Sequence, residues 1–87
     1  MPYITPEKRM PLDPAIHQLA AMLPDQDLAG TFNYVISRLA ASALAGKTSY
    51  ARINEIIGAL ECAKLELYRR VASPYEDAKA AQNGDVY

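Results

Sequence analysis

The chain has 87 residues, nine Lys+Arg against ten Asp+Glu, a formal charge of −1, one histidine and one cysteine. A chain this short supports one small domain and buries only roughly 60–65% of its unfolded surface, so its stability needs outside help. A lone Cys62 excludes an intrachain disulfide, one Cys and one His exclude an ordinary structural zinc site, and the near-neutral balance lacks the basic field of a duplex-binding protein.

Self-association is the remaining aid, and a homo-oligomer is expected. No metal and no cofactor is expected. The opening MPYITPEKRM carries prolines and charges where a signal peptide needs an apolar run. The longest apolar stretch, LAASALAG, is far short of a membrane span. The expectation is a cytoplasmic protein with no membrane and no duplex nucleic acid among its partners.

In chain order, Thr5-Pro6-Glu7 offers a capping oxygen, a proline preset for the first helical position and an acid in the first turn. Pro11 limits it to a single turn. Asp13-Pro14 repeats the signal, and Ile16, Leu19, Ala20 and Leu23 follow at i, i+3, i+4, i+7, which predicts a helix over 14–23 closed by Pro24. PDQDLAG is a polar connector. Thr31 is the expected N-cap of a second helix over 32–45, with Phe32, Val35, Ile36, Leu39 and Ala43 as its stripe and Gly46 as its C′ residue.

Thr48-Ser49 then caps the longest helix, expected over 49–72, with an inner stripe of Ile53, Ile56, Ile57, Leu60, Ala63, Leu67 and Val71. At 1.5 Å per residue it runs roughly 35 Å. Glu66 stands four residues before Arg70 and Glu61 three before Lys64, the spacings of helix-surface ion pairs. Ser73-Pro74-Tyr75-Glu76 has the composition of a capping box and predicts a short separate helix over 74–82, stopped by Asn83-Gly84. No strand signal and no internal repeat occurs. The predicted fold is all-α, one domain over 1–87: a small bundle or hairpin with a dominant third helix and a short capped last one.

The long helix carries a second, narrower lane through Asn54, Gly58, Glu61, Cys62, Leu65 and Arg69. Glycine in a helix interior costs about 1 kcal/mol relative to alanine, and its bare surface admits a close neighbour. That neighbour is either a helix of the same chain or another subunit. The thin core favours the second, with Asn54, Gly58, Cys62 and Leu65 as interface residues.

Chemistry-bearing residues do not converge. Asp13 and His17 share a helix face, but no nucleophile accompanies them. Cys62 reads as a small apolar residue. Glu55, Glu61 and Glu66 lie six and five apart, not at the three or four that gathers metal ligands on one face, and no phosphate loop or zinc-hydrolase motif appears. The chain is expected not to be an enzyme. Six of its seven aromatics are tyrosine, suited to half-buried interfaces and planar ligands. Arginine forks match phosphate. The expected ligand-binding set is Tyr34, Arg38, Arg52, Arg69, Tyr75 and Tyr87.

MPYI, NYVISRL, YARINEIIGALECAKLELYRRV, PYEDAK and NGDVY together resemble a family of small proteins from bacteria and their phages, of uncharacterised function. The resemblance implies a compact helical protein and carries over no catalytic residue. By analogy with small helical phage proteins that sequester host nucleotide signals, it suggests a counter-defence role. Two functional readings follow. One is a non-enzymatic, self-associating protein holding a small anionic, nucleotide-like ligand between subunits. The other is a structural or adaptor protein that docks on a larger partner without a ligand.

Overall fold

A computed structural model describes residues 3–87; the first two residues of the MPYI start lie outside them. The fold is all-α, as expected, with no strand among the described residues. The chain divides into two units, Met1–Leu39 and Ala40–Tyr87, with the division inside a helix.

In the first unit α1 (Pro6–Arg9) is the expected single turn. Thr5 starts it through its backbone: its carbonyl accepts from Lys8 N at 3.0 Å and Arg9 N at 3.1 Å, with no capping bond from the hydroxyl. The helix α2 (Asp13–Ala20) ends sooner than expected. Met22 N and Leu23 N bond three residues back, to Leu19 O and Ala20 O, so the last turn tightens before Pro24. Leu23 precedes a proline, whose ring disfavours the helical region at that position.

The third helix, α3 (Leu28–Leu44), starts four residues before the expected 32. Asp27 takes φ +56°, a left-handed turn that Asp adopts more readily than most residues. Its carbonyl accepts from Thr31 N at 3.1 Å, which places Thr31 within the first turn and not at the cap. Val35, Ile36, Ala40 and Leu44 are half-buried along α3.

In the second unit Gly46 closes α3 with φ +71°, the left-handed C′ conformation its sequence position calls for. Ser49 caps α4 (Tyr50–Leu67) as expected: its Oγ accepts from Arg52 N at 3.1 Å. The expected break at Ser73-Pro74 is absent. Leu67, Ala72 and Ser73 all have right-handed helical torsions, so α4, a π segment (Tyr68–Ala72) and α5 (Ser73–Asn83) form one continuous helix of 34 residues. Ser73 makes no capping bond; instead its N–H bonds five residues back to Tyr68 O, the π pattern.

Pro74 gives the physical reason. Inside an α-helix its ring would press on the carbonyl four residues earlier and its missing N–H would leave that carbonyl without a donor. A π turn immediately before it widens the helix and shifts the ladder, which lets the proline sit in the interior. Gly84, at φ +87°, stops the helix where Asn83-Gly84 predicted, with its N–H on Ala80 O at 2.9 Å.

No described residue is buried. On the long helix Ile53 and Ile56 are half-buried, while Ile57, Leu60, Leu67 and Val71 are exposed. The helix presents the greater part of its expected apolar stripe to solvent.

Candidate functional site

The long helix positions the lane through Gly58. Successive members lie three or four residues apart, so Asn54, Gly58, Glu61, Leu65 and Arg69 follow one another along a single face. No atom lies within 4 Å of where a Cβ on Gly58 would stand, apart from its own helix backbone. The close neighbour that this glycine admits is therefore not supplied by its own unit. Leu65 and Cys62 are exposed beside it.

Two groups of charges punctuate the helix. Glu61 Oε1 and Lys64 Nζ pair at 3.0 Å, as their spacing predicted. At the start of the π segment a single oxygen, Glu66 Oε1, accepts from Arg69 at 2.8 Å and Arg70 at 3.0 Å. The expected Glu66–Arg70 pair is present, and Arg69 joins it. The hydrogen bond from Arg69, then that from Arg70, holds the Glu66 carboxyl below its ordinary pKa. Both arginines already serve a carboxylate on their own helix, although each keeps further N–H donors open to solvent.

The last helix and the tail after it frame a groove of about 520 Å³. Tyr68, Glu76, Asp77, Lys79, Asp85 and Tyr87 are among its lining residues. Three carboxylates against one lysine disfavour a phosphate there. Tyr87 N bonds Asp85 Oδ1 at 3.0 Å, which fixes the tail locally. Lys79 Nζ stands 5.5 Å from the centre of the Tyr75 ring, within cation–π range.

Of the expected ligand set, this groove gathers Tyr87 and no arginine. Arg52 and Arg69 are 17 residues apart on one helix, about 25 Å along its axis, so they do not converge within one chain. Tyr34 and Arg38 lie one turn apart on α3, in the first unit. That unit also has an apolar pit of about 370 Å³ lined by Leu23, Leu28, Ala29 and Phe32, which the stripe of the expected second helix pointed to only through Phe32. Asp13 and His17 share no hydrogen bond or ion pair among the described residues. Also among them, no three His, Cys, Asp or Glu side chains gather as a metal site, and no helix is long and apolar enough to cross a membrane.

No curated protein and no solved structure matches the chain. A family model does, over residues 1–86, and it agrees with the resemblance in being a family of uncharacterised function: the chain belongs to the family described as Domain of unknown function (DUF6899).

Proposed function

We propose that this is a non-enzymatic helical protein that works as a homo-oligomer, assembled through its long helix. One observation carries the proposal: no described residue is buried, and a 34-residue helix leaves Ile57, Leu67 and Val71 at 59%, 62% and 58% exposure. Isolated helices are marginal in water, and protein helices draw most of their stability from burying an apolar face. A second copy, packed along the lane of Asn54, Gly58, Cys62 and Leu65 and the adjoining stripe, offers that burial.

The ligand reading belongs to the assembled form. Arg52, Arg69 and Tyr75 are too far apart on one helix to share a small molecule, so the nucleotide-like anion would sit where residues of different copies meet. Tyrosine would stack on a planar base and arginine would hold phosphate. With such a ligand, sequestration of a nucleotide signal, as a phage counter-defence protein, is the role we propose.

A thermal-shift panel of nucleotides and cyclic nucleotides tests the ligand. At about 100 times Kd a true ligand stabilises the protein by about 2.7 kcal/mol. No shift with any member rejects the ligand while leaving self-association standing. A chain that stays monomeric yet captures a larger protein through the same stripe favours the adaptor reading.

A further inference from the structure

From the charges along the long helix we infer that two copies pair antiparallel, with a two-fold axis passing beside Arg70. This rests on the self-association proposed above and specifies its geometry. The helix carries the same four-residue pattern twice: Glu61-Cys62-Ala63-Lys64 and Glu76-Asp77-Ala78-Lys79. In each, an acid precedes a lysine by three residues and an alanine lies between them.

Fifteen residues separate the two patterns, and in an α-helix that overruns four full turns by about 60°. The π segment between them takes more residues per turn and so reduces the overrun. Both patterns therefore lie along one edge of the helix, beside the apolar stripe.

An antiparallel copy brings equal edges together, as in antiparallel coiled coils. Set the first pattern against the second of the other copy. Glu61 then faces Lys79 and Lys64 faces Glu76, and the two-fold repeats both pairs, which gives four opposite-charge contacts. Both pairings have residue 70 as their midpoint, so one axis satisfies them together. Residue 70 is also the middle of the π segment Tyr68–Ala72. A parallel pair in register would instead turn this edge toward the opposite edge of its partner, so that neither pattern meets the other.

Arg70 does not crowd the axis. Glu66 holds it at 3.0 Å, on a side of the helix about 140° round from Glu61. Close to the axis, Tyr68 meets the small Ala72 of the other copy, and Leu65 meets Tyr75. Glu61 and Lys64 are 55% and 66% exposed in their own 3.0 Å pair, so both remain available to a second partner.

Charge exchange tests the register by sedimentation equilibrium. The double variants E61K/K64E and E76K/K79E each keep the net charge and an acid and a lysine three residues apart on the helix, but set like charges across the seam. Each alone is expected to self-associate on the order of 10- to 100-fold more weakly than the unaltered chain. An equimolar mixture of the two restores all four contacts, as does the quadruple variant in one chain, and both are expected to recover near-original association. Circular dichroism checks that each variant keeps its helix. Unchanged association in the double variants overturns this register and leaves self-association intact, and so does a mixture that stays as weak as its components. If the unaltered chain does not associate, the broader reading fails and this inference with it.

Discussion

At Glu66 one carboxylate oxygen serves two guanidinium groups, at 2.8 and 3.0 Å. The hydrogen bonds lower its pKa in the folded chain, so the folded state gives up this proton more readily than the unfolded one. The stabilisation is therefore present at neutral pH and above, and is lost as pH falls through and below the ordinary glutamate value of about 4.3. Glu66→Gln should flatten the acid side of a thermal-stability profile. A variant that keeps the full acid slope would show that the fork contributes nothing. Gly58 has the opposite character, since a Cβ added there would meet nothing beyond its own stretch of helix. Alanine there should raise helix stability by about 0.5–1 kcal/mol in dilute solution, because it restricts the unfolded chain and favours the helix. In the oligomer the added methyl should hold the copies apart and weaken association. The two effects are separated by circular dichroism melts at low concentration and sedimentation at high concentration. Stronger association with alanine would place Gly58 outside the interface.

The long helix is an element whose two ends were legible in the sequence and whose middle was not. Ser49 and Gly84 act through local rules, a hydroxyl on a backbone N–H and a positive φ, and both do what their positions predicted. Ser73-Pro74-Tyr75-Glu76 obeys an equally local rule on paper, yet the helix runs through it. The reason is that proline has two tolerated places, the first turn of a helix and an interior site relieved by a π turn, and only the continuity of the flanking segments separates them. The start of α3 was missed for a related reason, because a left-handed Asp27 leaves no strong mark in the sequence. The candidate site was less legible still. Ion pairs at three and four residues were readable from spacing, whereas convergence of Tyr and Arg depends on tertiary contacts that spacing does not encode. Two substitutions test the continuous helix. Pro74→Ala should stabilise it by about 1–3 kcal/mol, since an interior proline costs up to about 3 kcal/mol. Ser73→Ala should cost under about 0.5 kcal/mol, whereas loss of a true N-cap costs about 1 kcal/mol. A destabilising Pro74→Ala together with a costly Ser73→Ala would restore the separate capped helix.

For the molecule as a whole, the absence of any buried residue among those described is the fact that a function must explain. On the proposed reading, a second copy covers the apolar stripe that the chain leaves in water. Folding and association should then be coupled, so that the melting temperature of the chain rises with protein concentration. A melting temperature constant over a hundred-fold dilution would mean that each chain is stable alone. The DUF6899 family model spans residues 1–86 and so covers residues of both units. The most direct measurement is sedimentation equilibrium of the unaltered chain from low micromolar concentration upward. The expected result is reversible association to a multiple of 9.5 kDa. A species that remains at 9.5 kDa across the whole range, with its helix content intact, would contradict assembly through the long helix.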